Sequence, residues 1–164
     1  MKPSILFILH MPPPVHGAAM MGKYIHDSKV INETFDCHYI NLATAKDIKD
    51  IGKVGLKKLI SFLEMVKQMK TQLVYVTPNS HGIALYKEFV IVQMLKGMGC
   101  KVVIHFHNQG VRTFQDHWPN RWIYPRLFKG VKVILLSEAL YEDVEKFVDR
   151  RNVLICPNGI PDIN

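Results

Sequence analysis

The stretch Lys2–Met21, KPSILFILHMPPPVHGAAMM, leaves the chain few ways to fold. Ile5, Leu6, Phe7, Ile8 and Leu9 are apolar without alternation, which suits a strand buried on both faces, as in the middle of a parallel sheet. Pro12–Pro14 follow, and because proline offers no backbone N–H the chain must leave the ladder there, at the strand's carboxyl end. A lone glycine, Gly17, then precedes Ala18 and Ala19, where a helix can open. This run predicts a parallel α/β sheet with Ile5–Leu9 as its central strand, and such sheets bind ligands at the carboxyl ends of their strands. Free N–H groups at Gly17 and Ala18 would suit an anion such as a diphosphate. The same glycine would serve equally well to relieve a tight turn. The run is neither G-x-G-x-x-G nor G-x-x-x-x-G-K-[ST], which argues against a nicotinamide cofactor, and so against a dehydrogenase, and against a P-loop nucleotide triphosphatase.

Beyond the loop, strand and helix signals alternate. A helix is predicted over Ala18–Val30 and a strand over Cys37–Leu42. Leu56, Leu59, Ile60, Leu63 and Val66 recur at helical spacing, on a helix ending near Met69. A third strand (Leu73–Thr77), a largely apolar helix (Ile83–Met98) closed by Gly99, and a fourth strand (Lys101–His105) follow. Phe106–Pro125 has no clean period and concentrates aromatics, histidines, Arg112 and Arg121 after a strand's carboxyl end, where binding loops sit, so it is expected to be a functional, partly mobile segment. Lys132–Leu136 is predicted as a strand, Ser137 as the N-cap of a helix Glu138–Phe147, and Val153–Ile155 as a short last strand before Pro157-Asn158-Gly159. Strands alternating with helices require right-handed crossovers, so the expected class is α/β: a Rossmann-like, doubly wound parallel sheet in three layers, α/β/α, of about six strands.

Length and composition narrow the function. At 164 residues one domain, 1–164, is the default, and no apolar run approaches the roughly 18 residues of a membrane span. Ser4–Met11 is too short, and too soon followed by prolines, for a signal peptide, so a cytoplasmic protein is expected. Cys37, Cys100 and Cys156 are widely spaced and form no C-x-x-C pair, which fits reduced packing residues. The net charge of +7 favours anionic partners in general. Much of it lies in residues 46–70, where seven lysines stand against three acids; that helix is expected to show water a solvated lysine face, with an anionic membrane surface as the alternative. Nucleic-acid binding is not expected, because this basic helix lacks aromatic residues and the aromatic loop has few cations.

His105-x-His107-Asn108 ends the fourth strand, and residues two apart on a strand share a face, so both imidazoles are expected to point the same way. Two histidines without a third ligand make a poor metal site, and no metal is expected. A hydrogen-bonding or acid/base histidine fits better, beside the bland alternative of a satisfied histidine at a strand end. No Gly-x-Ser-x-Gly elbow and no paired carboxylates support hydrolysis.

With those residues assembled, the chain resembles the N-terminal domain of GT-B fold glycosyltransferases of the family 4 type, which build bacterial polysaccharides and glycolipids. The likeness rests on ILFILHMPPPVHGAAMM, VVIHFHNQG, VILLSEAL and VLICPNGI, taken in order and spacing. It implies transfer of a sugar from a nucleotide-diphosphate sugar to a glycan or lipid-linked acceptor in cell-surface polysaccharide or lipopolysaccharide biosynthesis. It further implies retention of anomeric configuration, no required metal, and a cytoplasmic location at the inner face of the cell membrane. By this resemblance Gly17 and Ala18 would meet the donor diphosphate and His107 the transferred sugar, on a strand expected beside the first. His16, His105, Asn108 and Ser137 would line the cleft or face the acceptor. Many family members carry two adjacent glycines where this chain has His16-Gly17. Members also continue past the Pro-Asn-Gly segment into a donor-binding domain, so residues 1–164 are expected to be the acceptor-side half, ending in a linker and inactive alone. The competing expectation is a non-enzymatic Rossmann-like module that binds a nucleotide or a protein.

Overall fold

The computed structural model describes residues 2–41 and 51–159, with the backbone alone for 51–59. The fold is α/β: a single open sheet of six parallel strands with helices around it. The strands are β1 (Ser4–Leu9), β2 (Asp36–Asn41), β3 (Leu73–Val76), β4 (Lys101–His105), β5 (Lys132–Leu135) and β6 (Val153–Ile155), in the order β2-β1-β3-β4-β5-β6. Two expectations are corrected by that order. β1 stands second from one edge instead of at the centre, and β3, not β4, is its second neighbour. A strand needs only one neighbour on each side and cover on both faces to be fully apolar, so the unbroken run of Ile5–Leu9 marks an interior strand without choosing which one.

The chain divides into two compact units, Met1–Val76 with Leu95–Lys101, and Thr77–Met94 with Val102–Asn164. In the first, all five residues Ile5–Leu9 are buried. Ile5, Phe7 and Leu9 share one face and pack with Ile25, Ile31, Phe35, Cys37, Tyr39 and Tyr75. Phe7 lies in register with Tyr39 of β2 and Tyr75 of β3, and its ring meets theirs at 5.1 and 5.4 Å, an aromatic row running across three strands. The predicted first helix is two: α1 (Gly17–Asp27) and α2 (Lys29–Thr34), parted at Ser28, whose hydroxyl accepts from the Ile31 N–H as a new N-cap. Helix α3 spans Ile51–Gln68 and ends within a residue of the expected Met69. Leu42, Lys46 and Lys49 lie outside the described residues, as do the side chains of the helix's first lysines, and so does most of the proposed lysine face.

In the second unit, helix α4 (Gly82–Gly97, its last turn in the first unit) precedes β4, which falls where the sequence put it. The segment 106–125, expected to be an aperiodic loop, is half helical: a single turn, α5 (Val111–Phe114), and then the start of α6 (Asn120–Phe128). Asn120, Ile123, Tyr124, Leu127 and Phe128 are buried at helical spacing, a stripe hidden in the sequence by a polar Asn120 at its head and by Pro125 inside the helix. The Asn120 side-chain N–H donates to the Phe114 carbonyl at 3.0 Å, while its Oδ1 is buried without a hydrogen-bond partner among the described residues. Tyr124 and Phe128 pack on Phe147 at 5.5 and 5.7 Å. The helix expected over 138–147 is a short 3-10 segment (Glu138–Leu140) running into one turn, α7 (Tyr141–Val144). No helix among the described residues is long and apolar enough to cross a membrane.

Candidate functional site

In the first unit the candidate groups gather where β1 gives way to α1. His16 is the N-cap, extended at φ −153° and ψ 167°, and its ring Nδ1 accepts from the Ala19 N–H at 3.3 Å while its carbonyl accepts from Met20 N–H at 2.9 Å. A helix start leaves its first N–H groups without intrahelical partners, and here those of Gly17 and Ala18 are left over among the described residues. A side-chain carbon built on Gly17 would meet nothing within 4 Å. This is an eleven-residue helix whose open, positive end carries two bare N–H groups. His16, expected as a cleft residue, therefore spends one ring nitrogen on the helix; its ring lies edge-on to His10 at 6.0 Å.

The glycine with the steric demand is one the sequence did not single out. Gly22 is buried, and a Cβ there would overlap the carbonyl oxygen of His10 and touch Leu9. It lets α1 lie directly on the backbone where β1 ends, which fixes the helix start relative to the strand's carboxyl end. A hollow of about 630 Å³ lies elsewhere in this unit, at the amino ends of β1 and β3, lined by Ser4, Phe35, Thr71, Leu73 and Lys101.

In the second unit His105 and His107 leave the end of β4 with their rings 4.2 Å apart and tilted by 35°, on the shared side that their spacing predicts. His105 is 5% exposed, and burial, helped by the neighbouring His107, pushes its pKa down to about 3. It is a neutral ring backing the half-buried His107. Among the described residues no third His, Cys, Asp or Glu joins them in a group able to hold a metal ion.

What steadies this corner was largely invisible in the sequence. The Ser80 N–H donates to Asn108 Oδ1 at 3.1 Å, the Ser80 hydroxyl donates to the Gln109 carbonyl at 2.7 Å, and the Tyr124 hydroxyl donates to the Ser80 carbonyl at 2.7 Å. Asp143 accepts three successive backbone N–H groups, of Gly110, Val111 and Arg112, at 3.0 to 3.1 Å. Gly110 sits at φ 144°, with His81 where its side chain would be, so glycine is required there. Asn108 thus holds the Ser80 loop through its Oδ1 while remaining exposed. Ser137 is also exposed and makes no side-chain cap bond to the segment that follows it. Of the residues behind Asn108, only Glu88 left a trace in the sequence, as a lone acid in the apolar run FVIVQML and its neighbours.

Glu88 is 7% exposed and accepts from the Asn79 backbone N–H at 2.7 Å and from its side-chain amide at 3.0 Å. Burial raises its pKa to about 7 against the pull of those two hydrogen bonds. A carboxyl whose pKa is raised on folding stabilises the fold fully below its unfolded value near 4.5, and that contribution is lost as pH climbs to about 7. The opposite holds for His105, whose contribution is present above 6.5 and lost as pH falls toward 3. Glu88→Gln, which keeps an acceptor for Asn79 but no proton to lose, should remove the decline on the alkaline side. Urea midpoints at pH 5 and pH 8 should differ in the native chain by more than in the variant; the same difference in both would mean that Glu88 does not titrate in this range.

No family model matches the chain, and no curated protein matches it.

Proposed function

We propose that this chain is the acceptor-side domain of a retaining glycosyltransferase that moves a sugar from a nucleotide-diphosphate sugar to a glycan or lipid-linked acceptor in the cytoplasm. The observation that carries the proposal is the start of α1, at the carboxyl end of β1, with two N–H groups left over and open space beside Gly17. A diphosphate carries the charge that such a helix end favours, and a bare glycine lets it approach the backbone. The resemblance alone gives the transferred sugar to His107, whose two ring nitrogens are enclosed in this structure, so the ring would have to turn outward to reach a sugar hydroxyl. In the transfer the bond from the anomeric carbon to the diphosphate breaks, an acceptor oxygen takes its place on the same face, and the acceptor's proton leaves with the nucleoside diphosphate or to solvent. His105, held neutral by its burial, backs the His107 ring.

The donor's nucleotide would be held chiefly by a second domain of the same class, so residues 1–164 alone should bind nucleotide sugars weakly. The competing module that binds a nucleotide or a protein without transfer shares the helix start and assigns nothing to His107. Gly17→Val tests the proposed contact. Gly17 has no left-handed backbone angle and faces open space, so the variant should keep its fold and melting temperature and lose binding of nucleotide sugars in calorimetry. Unchanged binding would remove the diphosphate from this helix start.

A further inference from the structure

The outer side of α6 is oddly built for a helix facing water. Trp118 is 87% exposed and Trp122 52%, one turn apart, and beside them Arg121, Arg126 and Lys129 are exposed too. Residues 117–129 contain no Asp or Glu. The adjoining helix α4 meets this one through Phe89, edge-on to Trp122 at 5.7 Å, and through Gln93, which donates to the Arg126 carbonyl at 3.3 Å. On the outward side of α4, Ile83 and Val90 are 74% and 50% exposed, seven residues apart and so on one helical stripe, with Lys87 between them. Its single acid, Glu88, is buried. Asp116, the acid just before this stretch in sequence, pairs with Lys146 at 3.7 Å.

We propose that this face of α6 and α4 rests on an anionic phospholipid bilayer, Trp118 and Trp122 entering the headgroup layer and Arg121, Arg126 and Lys129 meeting lipid phosphates. Tryptophan favours that layer because its ring is apolar and its N–H is not, and cations near an anionic leaflet are drawn to it. Single-stranded nucleic acid also suits arginine with tryptophan, but a base needs an open ring face to stack on. The Arg126 guanidinium lies 4.0 Å over the Trp122 ring, covering one of its faces and leaving Trp118 as the more open ring for a base, and the exposed Ile83 and Val90 offer a nucleic acid nothing. The inference is independent of sugar transfer, since vesicle binding is read without any sugar present.

These are the chain's two tryptophans, so its tryptophan emission reports this face alone. Added to vesicles of three parts phosphatidylcholine to one part phosphatidylglycerol at low salt, the chain should sediment with them. Its emission should shift to the blue and be quenched by lipids brominated in the acyl chain. Half-molar salt should release it, and pure phosphatidylcholine should hold it at least about tenfold less well. Arg121→Glu with Lys129→Glu leaves the Arg126 contact with Trp122 intact and should weaken binding about tenfold or more, with an unchanged circular dichroism spectrum. Trp118→Ala should weaken it severalfold. Any one of three results would overturn the proposal: no co-sedimentation at low salt, equal binding of neutral vesicles and of the charge-reversed variant, or an emission change on adding oligothymidylate with none on adding vesicles.

Discussion

Gly22→Ala is expected to cost the chain about 3 kcal/mol or more, a large fraction of the stability of an ordinary domain. The added methyl group would occupy the place of the His10 carbonyl oxygen, and backbone cannot rotate aside as a flexible side chain does. Either α1 lifts off the end of β1 or the strand end shifts, and both uncover Leu9 and Ala19, which are fully buried. The control lies five residues away: Gly17→Ala places its methyl group in open space at an unstrained backbone angle and should change stability by no more than about 0.5 kcal/mol. Urea denaturation of both variants measures the contrast. Equal midpoints would mean that α1 does not lie against the His10 backbone.

The second large effect is on turnover. In the transferase proposed above, His107→Ala should lower kcat by about 10²-fold or more while moving the melting temperature little, because the residue as a whole is only half buried. His105→Ala should behave in the opposite way, losing on the order of 2 kcal/mol of stability through the cavity left by a fully enclosed ring. Activity measured alongside a thermal melt separates the two. Loss of turnover from His105→Ala with none from His107→Ala would show that the wrong histidine has been given the sugar.

The difference between those two glycines also shows how far sequence reasoning reached. Alternation of apolar strands with helices is a repeated signal spread over many residues, so β4 and β6 fell at the predicted ends and β1, β2, β3 and β5 within a residue or two. Strand order is not written in any one strand, because burial on both faces is common to all interior strands; hence β1 was misplaced at the centre. Helix α6 was missed because Pro125 and the buried Asn120 break the pattern that periodicity relies on. At the candidate site, His105 and His107 were legible because a two-residue spacing on a strand has one geometric meaning. Ser80, Tyr124 and Asp143 were not: each acts on backbone groups 29 to 44 residues away, and nothing local marks such a bond. Gly22 escaped for the same reason, since its constraint comes from the His10 carbonyl of another element.

The central claim is that an anion of the diphosphate kind binds at the N–H groups of Gly17 and Ala18, and amide chemical shifts test it residue by residue even when binding is weak. Titrating the nitrogen-labelled chain with a nucleotide-diphosphate sugar, and separately with inorganic pyrophosphate, should move the Gly17 and Ala18 amides most in both cases. Shifts centred on Ser4, Thr71 and Lys101 around the hollow at the strands' amino ends, with Gly17 and Ala18 unmoved, would contradict the account.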